Sequence, residues 1–220
     1  MGSIGLIRET SPTADLVWQA VGIGERVTSA VLLAAISPVI GASALAVSLL
    51  SRRTPLIAHR RVGLDGSTLW MLKLRTMWGQ DSPRAATGAH WIERIHDDLG
   101  PENKHGSDPR VTHWFARFCR RHSLDEIPQL WHVMAGEMSL VGPRPLTATE
   151  LDLYYGAAAQ EILHVKPGLA GLWQVSGRNR LSYAERRALD LRLARNRSLR
   201  MYLRILLQTI PEVLRGSNSW

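Results

Sequence analysis

The chain has 220 residues, enough for one domain with a moderate core and an attached element. Its apolar content of 45% excludes a polytopic membrane protein, and its single cysteine, Cys119, excludes an intrachain disulfide. A formal net charge of +8 points to an acidic partner: nucleic acid, an anionic membrane or a phosphorylated substrate.

Residues 27–50, "VTSAVLLAAISPVIGASALAVSLL", carry no charge and are long enough to cross a hydrocarbon core. Pro38 sits in the middle, where it lacks an N–H and breaks or kinks a helix. Ser37 beside it can return a hydrogen bond to a freed backbone group. Basic residues flank both ends: Arg8 and Arg26 before, Arg52, Arg53, Arg60 and Arg61 after. The positive-inside rule places both ends on the cytoplasmic face, which suits a hairpin. A kinked spanning helix fits the hydropathy equally well. The chain divides into this segment, 1–54, and a catalytic or binding domain, 55–220.

Residues 56–77 read as two short strands around an Asp65-Gly66 turn. Residues 79–107 are polar and irregular, with a short helix predicted near His90–Asp98. Residues 111–121 read as a basic helix. A second helix is predicted from Leu124 to Ala135, stopped by Gly136. Near the C-terminus, Leu199, Tyr202, Leu203, Leu206, Ile210 and Val213 share a helical face that suits a core or a membrane interface. Trp70, Trp78, Trp91, Trp114 and Trp131 could serve either as headgroup anchors or as core residues. The fold class is α+β and mostly helical, with short strands and interfacial amphipathic helices.

"RRHSLDEIPQ", residues 120–129, places two carboxylates, Asp125 and Glu126, behind three bases. Ser123 and Glu126 have the spacing of a capping box, which accounts for Glu126 without any chemistry. Pro128 disturbs that cap, because it leaves the Leu124 carbonyl without its helical donor. The chemical reading is phosphoryl transfer. One carboxylate attacks phosphorus to form an acyl phosphate, kept ionised by neighbouring arginines. The other holds Mg²⁺, which shares its oxygen ligands with substrate phosphates. Basic residues suited to clamping phosphate are Lys73 and Arg75 in "LKLRTM", Arg110 in "SDPRVT", Arg120, Arg144 in "VGPRP" and Arg178 in "VSGR".

Three stretches together, "HRRVGLDGSTLWMLKLRTM", "SDPRVTHWFARFCRRHSLDEIPQLWHVMAGEMSLVGPRP" and "VKPGLAGLWQVSGR", resemble the bacterial sugar transferases. These are monotopic phosphoglycosyl transferases that act on polyprenyl phosphate. The resemblance covers roughly residues 20 to 215. It implies a re-entrant membrane helix broken at Ser37-Pro38. It implies Asp125 as covalent nucleophile, Glu126 as its partner beside Mg²⁺, and Lys73, Arg75, Arg110, Arg120 and Arg144 as active-site bases. The implied reaction is ping-pong. A UDP-sugar gives its phosphosugar to Asp125 with loss of UMP, and polyprenyl phosphate then takes it up. The implied location is the cytoplasmic face of a bacterial inner membrane, among anionic lipids, and a homodimer is compatible with it. Nucleic acid is not an expected partner, since no base-reading or stacking motif occurs. A basic membrane scaffold without catalysis is the alternative from another class. Four positions depart from the family pattern: His132 replaces the usual Asn, Ala170 the usual Thr, and Leu193 and Arg197 the usual Tyr and Trp.

Overall fold

The computed structural model describes residues 12–78, 91–96, 111–177 and 180–215. The chain is a mostly helical α+β protein with one long apolar helix near its N-terminus. That helix, α1 (Pro12–Ser51), is long and apolar enough to cross a membrane. It starts well before the uncharged run. The backbone stays helical through Ser37-Pro38, so the expected break is not a gap in the helix. Pro38 nevertheless removes the donor that would serve the Ala34 carbonyl. The Ser37 hydroxyl donates to that same carbonyl at 2.8 Å. The Ser-Pro pair thus repairs the hydrogen bond that its proline deletes.

Both ends of α1 pack on the rest of the chain. Trp18 and Val21 join an apolar cluster built on Val141, Ala170, Leu193, Tyr202 and Ile205. Val47, fully buried, joins Leu74 and Cys119, with Leu124 against them. Between these ends, Val31, Leu32 and Val39 are exposed.

β1 (Leu56–Val62) and β2 (Thr68–Leu74) form the expected antiparallel hairpin, with Val62 paired to Thr68. Asp65 and Gly66 take positive φ in its turn, as such a tight reversal requires. The helix predicted near His90–Asp98 is instead a strand, β3 (Ile92–Ile95), parallel to β1. Cross-strand partners on both faces override the local reading. Glu93 pairs with Arg75 on one face, and Arg94 lies 5.2 Å from the Trp70 ring on the other. The sheet order is β2-β1-β3, so β2 has one free edge.

The basic helix appears as α2 (Trp114–Arg121), capped by His113, whose ring accepts from the Phe115 N–H. The second predicted helix divides. A 3-10 turn spans Leu124–Gln129, followed by α3 (Leu130–Ala135). Gly136 ends α3 with φ +83, and a Cβ there would also strike the guanidinium of Arg26 from α1.

A second small sheet pairs β4 (Ser139–Val141) in parallel with β5 (Gly168–Ala170). Its strands are joined through α4 (Ala148–Glu150), a π turn over Leu151–Tyr155 and α5 (Ala159–Leu163). α6 (Leu172–Ser176), α7 (Tyr183–Arg195) and α8 (Leu199–Arg215) complete the chain. α8 turns Tyr202 and Ile205 into the core, while Leu199, Leu203, Leu207 and Ile210 stay exposed. The single face read from the sequence is therefore two faces. Tyr202 belongs to the inner one, and an apolar stripe is left on the outside.

Candidate active site

The two carboxylates owe their position to how α2 stops. Ser123 takes a left-handed conformation, φ +55, directly before the 3-10 turn. Its side chain makes no capping bond, which corrects the expected capping box. The Glu126 N–H donates to the Ser123 carbonyl at 3.0 Å. Pro128 lacks the N–H that an α-helix would direct to Leu124, and the tighter turn is the outcome. Capping boxes do form elsewhere, at Thr147/Glu150 and Ser182/Glu185.

This turn buries Asp125 to 9% exposure and leaves Glu126 half-buried. Lys73 reaches in from β2, its Nζ 2.8 Å from Glu126 Oε1. Burial pushes the Asp125 carboxyl up to about 6, and the charge of Glu126 adds to the rise. Lys73 and Arg120 pull it down without winning. The neighbouring cations act in the expected direction, but burial sets the balance. Desolvation of a nearly buried carboxylate outweighs two nearby cations.

The structure gathers Lys73 and Arg120 around the carboxylates. Arg75, just past the end of β2, is committed elsewhere. Its Nε donates to the Thr54 carbonyl at 2.7 Å, and its other arm is bound to Glu93. Arg75 is 2% exposed, and its guanidinium ties the exit of α1 to β3.

Arg144 belongs to a second cluster. Its backbone is held by close main-chain approach. The Gly142 N–H donates to the Ala170 carbonyl at 2.9 Å, and the Gly168 N–H to the Pro143 carbonyl at 2.8 Å. A Cβ on Gly168 would fall 2.0 Å from the Gly142 nitrogen, so a side chain is excluded there. The Arg144 guanidinium lies 5.9 Å from the Trp173 ring, and Arg186 covers the same ring at 4.9 Å. Asp190, fully buried, accepts from the Tyr155 hydroxyl at 2.8 Å through Oδ2. Burial pushes it up to about 7 despite that bond and the nearby Arg144. Arg110 and Arg178 lie outside the described residues.

Sequence reasoning missed Glu25. Its buried carboxylate accepts from the Ser139 hydroxyl at 2.6 Å, the Leu140 N–H at 2.8 Å and the Tyr202 hydroxyl at 2.9 Å. One side chain of α1 therefore holds β4 and α8. The available signal was an acid just ahead of the uncharged run. The departures from the family pattern also find places. Leu193 is core, and Arg197 stacks on Trp18 at 3.8 Å.

The site thus joins one buried carboxylate to one lysine-paired carboxylate. The bacterial sugar transferase family model matches residues 20–216. The chain is 42% identical over 162 residues to the exopolysaccharide production protein ExoY of Sinorhizobium fredii, covering 74% of this chain and 71% of that one. It is 37% identical over 203 residues to the UDP-glucose:undecaprenyl-phosphate glucose-1-phosphate transferase of Caulobacter vibrioides, covering 88% and 69%. It is 38% identical over 164 residues to the undecaprenyl-phosphate galactose phosphotransferase of Salmonella typhimurium, covering 74% of this chain and 34% of that longer one. The chain belongs to the bacterial sugar transferase family and is an enzyme of the phosphoglycosyl transferase class.

Proposed function

We propose that this enzyme moves a sugar 1-phosphate from a UDP-sugar to polyprenyl phosphate, through an aspartyl phosphosugar on Asp125. The observation that carries the reading is the pair itself: Asp125 buried in the 3-10 turn, with Glu126 held by Lys73. A desolvated carboxylate is more basic than a free aspartate yet remains ionised at neutral pH, which suits a nucleophile. Its oxygen attacks the phosphorus next to the sugar, the bond to the UMP oxygen breaks, and UMP leaves. An oxygen of polyprenyl phosphate then attacks the same phosphorus. The bond to Asp125 breaks, and the carboxylate returns. Arg120 faces the developing phosphate charge.

Adjacent carboxylates suit Mg²⁺, which takes one or two protein carboxylates and completes its shell with water and substrate phosphates. Asp125 and Glu126 would hold it, and it would supply charge neutralisation on the phosphates.

The membrane path is proposed as re-entrant. Supporting it, residues near 18–29 and near 43–51 both pack on one body. A helix crossing the bilayer could keep only one end on that body. Exposed Trp114, Phe118 and Trp131 and the outer stripe of α8 suit contact with the membrane interface. Such a surface would bring the water-soluble donor and the lipid acceptor to one site.

The test is UMP release by detergent-solubilised protein against a panel of UDP-sugars. Without acceptor, a burst of one UMP per enzyme is expected, with steady turnover only when polyprenyl phosphate is added. Loss of both in Asp125→Asn is expected, and full activity in that variant would reject the nucleophile.

A further inference from the structure

Among the described residues β2 is an outer strand of its sheet, and the backbone groups along its outer edge meet no other strand there. One of them is met by a side chain. The Leu72 N–H donates to His132 Nε2 at 3.1 Å, from a strand to a buried histidine on α3. The chemistry of this bond dictates the state of the ring. A backbone N–H can only donate, so Nε2 carries no proton and the neutral ring's single proton sits on Nδ1. Nδ1 lies 2.6 Å from Glu137 Oε2, which accepts that proton's hydrogen bond. Glu137 is brought back onto the ring by the reversal at Gly136. The His132 carbonyl accepts from the Glu137 N–H at 2.9 Å and from the Met138 N–H at 3.1 Å.

Leu72 is followed in the chain by Lys73, the residue that holds Glu126. The free edge of β2 thus grips residues 124–135 at two points: Leu72 to His132, and Lys73 to Glu126. The first is a backbone bond to a rigid ring. The second is a flexible four-carbon side chain that needs a well-placed origin. We infer that the His132–Glu137 pair is a positioning device for the transfer reaction, setting the backbone from which Lys73 holds Glu126 beside Asp125. His132 touches no substrate in this role; it acts through Lys73. The inference rests on Asp125 and Glu126 being the reacting pair. It goes further in assigning work to His132 and Glu137, which hold no place in that reading.

The test uses full-length protein in detergent and follows the single-turnover UMP burst, with melting temperature and amide exchange of β2 measured alongside. His132→Leu is expected to slow the burst at least tenfold. His132→Gln, whose carboxamide oxygen reaches as far as Nε2, is expected to return it to within threefold of wild type. In a Lys73→Met background, His132→Leu is expected to add less than twofold, because the lysine it positions is gone. Glu137→Ala keeps the ring and removes only its exposed partner; at least a threefold slower burst at unchanged melting temperature is expected. That variant decides the matter if His132→Leu does not fold. An unchanged burst in His132→Leu or Glu137→Ala, no recovery in His132→Gln, or an equal slowing with and without Lys73 would each overturn the inference. If wild type and Asp125→Asn both lack a burst, the transferase reading itself has failed. The clamp is then judged by exchange at Leu72, slow in wild type and faster in both His132→Leu and Glu137→Ala. Equal rates would overturn it.

Discussion

At the scale of single residues, burial sets the behaviour of Asp125. Its carboxyl sits at about 6 in the fold against 3.8 in a free chain. Below pH about 4 both states hold the proton, and the difference is nil. Between about 4 and about 6 the unfolded chain releases it while the folded chain keeps it, so stability falls as pH rises. Above that window the loss is complete, about 3 kcal/mol for a shift of about two units. Asp125→Asn should therefore be more stable than wild type at pH 7.5 by up to about 3 kcal/mol. The gap should close by pH 4 in denaturation curves measured across that range. The same titration predicts a wild-type burst that rises with pH up to about 6 and then levels. The dyad was legible in the sequence as two acids behind three bases. Its electrostatics were not, because burial depends on Leu124 and Cys119 packing against Val47, far away in the chain. Arg75 shows the same limit. Its place beside Lys73 in "LKLRTM" suggests a shared site, but only the fold reveals that Glu93 takes it. Arg75→Met should leave Glu93 without its cation and destabilise by about 3–5 kcal/mol. Lys73→Met should instead slow the burst more than it lowers the melting temperature.

At the scale of elements, hydrophobic period and turn chemistry carried most of what could be read. The β1–β2 hairpin, the basic helix and the stop at Gly136 follow from local residues. β3 does not, because Ile92–Ile95 becomes a strand only beside β1, with Glu93 meeting Arg75. The 3-10 turn was half-legible: Pro128 announced an irregular start, but the left-handed Ser123 was not foreseeable from "RRHSLDE". α1 extends the same lesson. Its uncharged run was plain, whereas Glu25 reads as an ordinary surface acid until Ser139, Leu140 and Tyr202 surround it. Glu25→Ala would strand the Leu140 N–H and the Tyr202 hydroxyl at about 1–3 kcal/mol each, while the Ser139 hydroxyl keeps the Val141 carbonyl at 3.0 Å. A clear fall in melting temperature is expected, with Glu25→Gln closer to wild type because one carboxamide oxygen still accepts.

At the scale of the whole molecule, the outer stripe of α8 and the flanks of α1 make a prediction about the bilayer. Cys119 is fully buried and its thiol is pushed up to about 11, so introduced cysteines can be labelled selectively. A bimane probe at Leu207→Cys should shift to the blue on reconstitution into vesicles, while one at Arg192→Cys should not. Cysteines near residues 10 and 60 should both react from the same side; labelling from opposite sides would reject the hairpin. Glu25 and Val47 also have a mechanical consequence. A helix tethered at two points to one rigid body cannot slide along its own axis to suit a thinner or thicker leaflet. Hydrophobic mismatch must then be absorbed by the lipid or passed to the tethers, one of which packs against Leu124 beside Asp125. Turnover should accordingly peak at one acyl-chain length across a lipid series, with Glu25→Ala flattening that peak.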